Sequence, residues 1–253
     1  MAFSIEKREP GILLFTIERN EKRNAINYDV MQGLEQLITQ ADNPDIKAVV
    51  ITGSGEKAFC SGGDLAVFHL LETKEEAYFM LSKMSKILYN LLTLPKPTVA
   101  LINGAAIGGG CEIAAACDFR IARKGIKAGF VQGKQAITTG WGGGTIIAEK
   151  FPAFKGMKLL MDAEIQPIEF LYSDGFIDCL FDCDPMEAGE KFLENILKRD
   201  SNVLESYKKI WIRKWTESKL NERIEEEVRN CAALWESDAH HAYINSFMNK
   251  NQK

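Results

Sequence analysis

Two glycine-rich turns and one carboxylate are the residues here whose types and spacing could do chemistry. The first turn is Phe59-Cys60-Ser61-Gly62-Gly63-Asp64-Leu65, and the second runs from Asn103-Gly104 through Gly108-Gly109-Gly110-Cys111-Glu112. Each is expected to follow an apolar strand and to open a helix. The first N–H groups of a helix have no intrahelical partner and carry the positive end of the dipole. Two such groups aimed at one point make an oxyanion hole, and glycine lets a carbonyl come close. Glu112 closes an otherwise uncharged run from Thr98. A carboxyl group in apolar surroundings titrates high and can act as acid or base. Either turn alone is more simply a plain tight turn, with Glu112 capping its own helix. The two turns together with that Glu point to a site.

Other chemistries lack their signatures. Gly53-Ser54-Gly55-Glu56-Lys57 follows an apolar strand but does not make the G-x-x-x-x-G-K-[ST] phosphate loop. There is no G-x-G-x-x-G after a strand and no G-x-S-x-G elbow. Cys60 and His69 have no spacing that marks a nucleophile and its base. The six cysteines, at 60, 111, 117, 179, 183 and 231, follow no framework, and with three histidines they complete no metal site. No metal is expected.

The elements that must hold these turns alternate. Phe3–Arg8 and Ile12–Glu18 read as a hairpin about Pro10-Gly11. Asn27 is placed to cap a helix through Val30, Met31, Leu34, Leu37 and Ile38, stopped at Asn43-Pro44. Ala48–Ile51 and Val99–Ile102 are short apolar strands. Thr73-x-x-Glu76 is a capping box opening a helix that ends before Pro95 and Pro97. Phe119–Ala122 and Gly129–Val131 are expected to be short strands. Beyond Pro152 the pattern turns helical. Val203, Tyr207, Ile210, Trp211 and Trp215 share one face; Leu220, Ile224, Val228, Cys231 and Trp235 share another. Those faces fit subunit packing and a plain core equally well. The fold class is α/β, with residues 1–195 as the core unit and 196–253 as a helical region.

Bulk composition narrows the partners. The chain has 253 residues, 46% hydrophobic, and a net charge of −4, so it can bury a sizeable core and offers no basic footprint for nucleic acid. Fifteen of its 20 glycines lie between Gly53 and Gly144, interleaved with Ile, Val, Ala and Phe rather than with linker residues. Met1–Pro10 has no apolar leader core and carries Glu6 and Glu9. Thr98–Cys117 includes Asn103 and four glycines, which fits a buried strand and helix rather than a membrane span. A cytoplasmic location with reduced thiols is the expectation.

The order of motifs resembles the crotonase superfamily, the enoyl-CoA hydratase/isomerase family. Arg19–Asn27 is similar to its N-terminal motif. Ala58–Leu65 and Ile102–Asp118 are similar to its two oxyanion loops. Gly142-Gly143-Gly144-Thr145, Ser173–Asp178 and Phe247-x-x-Lys250 follow in register. The resemblance implies a spiral of ββα units with a C-terminal helical trimerisation region, assembled as a homotrimer or a dimer of trimers. It implies an acyl-CoA substrate, with CoA as part of the substrate and no separate cofactor. It places the oxyanion N–H donors at Gly63 and Gly109 and a catalytic acid/base at Glu112. It sets Ser61, Asp64 and Leu65 on the pocket wall, Arg23 and Ala25 beside the CoA nucleotide, and Lys250 at a phosphate.

Two departures matter. Where typical hydratases carry a second Glu in a Phe-Gly-x-Pro-Glu run, this chain has Phe130-Val-Gln-Gly-Lys-Gln135, with Gly133 or Lys134 in the Glu's place. Trp141 stands where a small residue is usual and should shorten the acyl pocket. Both are similar to the ethylmalonyl-CoA decarboxylase branch. The expectation is therefore a one-Glu hydratase/isomerase-type lyase. The alternatives are a decarboxylase of a short branched malonyl-type CoA ester and a CoA-binding homologue without efficient turnover. His69 and Lys74 are left unassigned, and His240 and His241 are expected at the surface or a trimer contact.

Overall fold

The computed structural model describes residues 1–251, apart from the side chains of Met248, Lys250 and Asn251. In chain order the elements are β1 (Phe3–Arg8), β2 (Ile12–Ile17), α1 (Tyr28–Gln40), β3 (Ala48–Gly53), β4 (Ala58–Cys60), α2 (Leu65–Phe68) and α3 (Lys74–Leu92). Then come β5 (Thr98–Ile102), β6 (Ala105–Ile107), α4 (Gly109–Ala116), β7 (Phe119–Arg123), β8 (Lys127–Gly129), α5 (Gly143–Lys150) and α6 (Ala153–Asp162). The chain ends with β9 (Gln166–Pro167), α7 (Ile168–Ser173), β10 (Cys179–Phe181), α8 (Pro185–Leu197), α9 (Ser201–Glu217), α10 (Leu220–Trp235) and α11 (Asp238–Asn251).

Strands are dealt alternately to two sheets. One has the order β1-β2-β3-β5-β7-β10, and the other β4-β6-β8-β9. Apart from the β1–β2 hairpin and the β8–β9 pair, all pairings are parallel. The pairs β3–β4, β5–β6 and β7–β8 each put one strand in each sheet, whereas β1 and β2 both lie in the larger one, and repetition winds the chain into a spiral. The two-residue side-chain period of a strand explains the larger sheet. Leu13, Phe15, Val49, Ile51, Ala100 and Ile102 enter the main core. Ile12, Leu14, Val50, Val99 and Leu101 face the opposite way, onto Leu193 and Leu197 of α8.

Polar groups fix the crossings between sheets. Asn103 accepts from Gly53 N at 3.2 Å and donates to the carbonyls of Gly53 and Gly55 at 2.7 and 2.6 Å. Asn24 donates to Ser54 O and Ala58 O at 3.0 and 2.7 Å. A buried side chain with such partners satisfies backbone groups that strand-to-strand transitions leave unpaired.

The Asn27 cap and the Thr73/Glu76 capping box form as expected. Thr98–Cys117 divides into β5, β6 and α4, so it is interior structure; among the described residues no helix is long and apolar enough to cross a membrane. Two expectations are corrected. The strand predicted at Gly129–Val131 lies at Lys127–Gly129, because its ladder partners are Ala106 and Ile107 on one side and Gln166 and Pro167 on the other. The short strands β4, β6 and β10 were too brief to show a period of their own. His240 is not a surface residue: it is 1% exposed, its ring nitrogen Nδ1 lies 2.7 Å from Gln135 O, and it packs against Trp235. The two C-terminal helical faces part company. Leu220, Ile224, Val228, Cys231 and Trp235 join the main core, whereas Val203, Tyr207, Ile210 and Trp211 stay exposed and only Trp215 of that face is buried.

Candidate active site

The first glycine turn is held by its N-terminal neighbour. Ile26 N donates to Gly62 O and Asp64 N donates to Ile26 O, both at 2.8 Å, and Ser61 N donates to Arg23 O at 3.1 Å. Asp64 caps α2 by accepting from Ala66 N and pairs with Arg19 at 2.7 Å, an ion pair with both side chains largely buried. Arg19 also donates to Ala25 O at 2.6 Å. The Arg19–Asn27 segment is therefore a brace for the turn, acting through backbone carbonyls and one ion pair.

The second turn abuts the first. A methyl group built on Gly62 would stand 3.3 Å from Gly109 N. Among the described residues, neither Gly63 N nor Gly109 N donates a backbone hydrogen bond. The Trp141 ring seals the two turns, and it explains one glycine: a Cβ on Gly109 would come within 2.1 Å of Trp141 Cζ3. Gly63 faces the same ring, at 3.6 Å from Trp141 Cζ2 by the same measure.

Glu112 lies one turn into α4 and is 2% exposed. Its Oε2 accepts from Trp141 N and Gly143 N, each at 2.9 Å, at the start of α5. Its Oε1 accepts from Gln132 Nε2 at 2.9 Å. Gly143 must be glycine, since a Cβ there would meet Glu112 Cγ at 2.5 Å. Burial raises the Glu112 pKa to about 8, Glu227 adds a like charge, and the three hydrogen bonds pull the other way. Burial thus favours the neutral acid, and the three hydrogen bonds favour the carboxylate.

These groups enclose a cavity of about 100 Å³ lined by Ser61, Gly63, Leu65, Gly109, Glu112 and Trp141 among others. Six of the residues expected from the sequence are thus brought together. Arg23, Ala25 and Asp64 are not in its wall; they brace the turn beside it. The Lys250 side chain lies outside the described residues. Lys134 turns outward to Glu164 at 2.6 Å. The Cys60–His69 pairing fails: burial lifts the Cys60 thiol to about 12, and the His69 ring turns back onto Leu65 O at 2.7 Å. Among the described residues no cluster of ligating side chains could hold a metal ion.

The sequence reading missed two residues. Gln132 opens the short 3-10 turn Gln132–Gln135 that takes the place of the hydratase loop, and its amide reaches Glu112. Glu227, from distant α10, accepts from Thr139 Oγ1, Gly144 N and Thr145 N at 2.6–3.1 Å. One helix start therefore anchors two carboxylates, Glu112 inside the cavity and Glu227 outside it. Only the contrast of Gln132 with its charged neighbour Lys134 could have flagged the former.

The pattern of the family described as Enoyl-CoA hydratase/isomerase matches residues 7–253. An ethylmalonyl-CoA decarboxylase of Xenopus tropicalis is 30% identical over 236 residues, covering 91% of this chain and 78% of that one. A crotonyl-CoA hydratase of Syntrophomonas wolfei is 37% identical over 141 residues, covering 55% of this chain and 53% of that one. The enoyl-CoA hydratase structure from Bacillus halodurans superposes with a TM-score of 0.88 over 97% of this chain and 100% of that one, at 21% identity.

Proposed function

Because the chain belongs to the enoyl-CoA hydratase/isomerase family, we propose that it forms a thioester enolate against the N–H groups of Gly63 and Gly109 and protonates it from Glu112. The observation that carries this is the place of Glu112, buried, with its pKa pushed up by that burial, and the only carboxylate lining the cavity among the described residues. Hydration asks a carboxylate to position and deprotonate water. Decarboxylation asks for no base at all.

The reaction that fits is loss of CO2 from a short, branched malonyl-type CoA ester. The bond between the α-carbon and the free carboxylate breaks, and its electron pair moves into the thioester as an enolate. Preorganised N–H donors stabilise that developing charge. The Glu112 proton then goes to the α-carbon, and the glutamate regains a proton from solvent. The small cavity and the Trp141 ring limit the acyl group to a few carbons. In this reading the uncovered α9 face, with Tyr207 and Trp211, packs against further copies of the chain in a trimer.

A one-glutamate hydratase or isomerase is the second reading, supported by the stronger identity to crotonyl-CoA hydratase over half the chain. Product masses separate the two. Methylmalonyl- or ethylmalonyl-CoA is expected to lose one CO2, and crotonyl-CoA to stay unchanged. Addition of one water to crotonyl-CoA, with no CO2 released from the malonyl esters, would replace the decarboxylase reading by the hydratase one.

A further inference from the structure

Glu227 is the second carboxylate at the start of α5, and it reaches there from α10, 82 to 88 residues away from its partners in sequence. Its Oε1 accepts from Thr139 Oγ1 at 2.6 Å and from Gly144 N at 3.1 Å, and its Oε2 accepts from Thr145 N at 2.6 Å. Glu112 takes Trp141 N and Gly143 N of the same segment, each at 2.9 Å. The N–H groups that open α5 have no intrahelical partner, and here the two acids divide them. Gly142, Gly143 and Gly144 have no side chains to pin this run, and Gly142 has a φ of +92°. The carboxylates are its anchors, one on each side. Their surroundings differ. Glu112 is buried in the catalytic cavity, whereas Glu227 is half-buried and lines a separate cavity of about 690 Å³ with Thr139, Thr145, Arg223 and Glu226 among others.

We propose that Glu227 is a positioning residue for Glu112: it locks the 139–145 segment that presents Trp141 N and Gly143 N to the buried acid, and its negative charge at the same helix start opposes ionisation of that acid. The inference rests on the reading above in one respect, that Glu112 is the group that transfers the proton. Three donors and a half-exposed position suit Glu227 to hold the anion. The positive end of one short helix then already faces a charge, and a second charge on Glu112 meets a like one. The other groups around Glu227 leave that charge in place. Arg223 is committed to Glu149 at 2.6 Å, and Lys134 turns away to Glu164. On α10 itself, burial keeps the Cys231 thiol protonated against Thr138 O, and Glu226 is exposed. Gln132, from the 3-10 turn, is neutral and bonds Glu112.

The test is the pH profile of kcat for wild type, Glu227→Gln, Glu227→Ala and Glu226→Gln, with ethylmalonyl-CoA and crotonyl-CoA as substrates. Glu227→Gln removes the charge and keeps the shape and part of the acceptor set. It is expected to move the limb of the profile that reports Glu112 to lower pH by about one unit. Glu226→Gln removes a charge from the same helix that has no bond to the α5 start among the described residues, and should leave the limb within about 0.3 unit of wild type. Glu227→Ala also frees the segment, so its kcat should fall about 10-fold or more below that of Glu227→Gln, with KM little changed. The direction of the limb and its displacement answer separate questions. Activity that falls with pH supports an acid and activity that rises supports a base, which decides the decarboxylase reading. The displacement tests Glu227 in either case. Where neither ester turns over, the displacement is read from the carboxylic C=O infrared band that Glu112→Gln removes. A limb or band that stays in place in Glu227→Gln, or that moves as far in Glu226→Gln, overturns the assignment. Glu227→Gln carries the test alone if Glu227→Ala fails to fold.

Discussion

The cavity has two walls built in different ways. One wall is backbone: the Gly62–Gly63 and Gly108–Gly109 turns, each contributed by a contiguous run of sequence and braced by its neighbours. The other is side chain: Glu112 from α4, Gln132 from a short 3-10 turn and Trp141 before α5, joined by hydrogen bonds across 20 to 31 residues of sequence. In the proposed reaction the backbone wall provides the N–H donors for the enolate, and the side-chain wall determines which enolate is made and what happens to it. On that reading, membership of a family and choice of reaction reside in separate parts of one small site.

Mutations should separate the walls. The largest effect is expected for Glu112→Gln. The amide can accept from Trp141 N and Gly143 N and donate to Gln132, so the wall keeps its shape while the proton is lost. Turnover should fall by about 10²–10⁴-fold with ester binding retained. Steady-state kinetics that left kcat unchanged would remove Glu112 from the chemistry. The same variant sharpens the stability argument. With the unfolded carboxyl at its ordinary 4.5 and the folded one raised to about 8, the group's stability is fully present below about 4.5 and is lost as pH rises from there to about 8. Thermal unfolding should show Glu112→Gln gaining on the wild type between about pH 4.5 and 8, with no further change above.

Gly109→Ala attacks the backbone wall. The added Cβ collides with the Trp141 ring, so the ring or the turn must move. Overpacking of this kind costs about 1–3 kcal/mol in stability. Displacing one oxyanion donor costs about 10²-fold or more in kcat. Retained activity on all substrates would dissociate Gly109 from the site. Trp141→Ala should have the smallest effect on short esters and the most informative one. It opens acyl space, so activity should extend to longer chains, against a stability loss of about 3–5 kcal/mol. A wild-type preference that already rises with straight-chain length would contradict the role given to Trp141.

The two walls also differ in how far the sequence revealed them. The two glycine turns were readable because each sits between an apolar strand and a helix start, all within a few residues; Gly63 and Gly109 within them were singled out by the family resemblance. Glu112 was readable as one charge in an apolar run. Its partners were not. Gln132 looks like any polar loop residue until the chain folds, and Glu227 belongs to an acidic helix face that looks solvated in the sequence. The same limit explains the misplaced strand after β7 and the burial of His240, since both depend on neighbours distant in the chain. Arg23 and Ala25 were expected beside the CoA nucleotide; what the structure shows is their carbonyls bracing the first glycine turn.

The central claim is that this site works with an acid where a hydratase works with a base. The pH dependence of kcat on ethylmalonyl-CoA tests it most directly. An acid with a pKa near 8 predicts a plateau at neutral pH and a decline as pH rises through about 8. Activity that climbs through the same range would show that the ionised carboxylate is the working form, and would contradict the account.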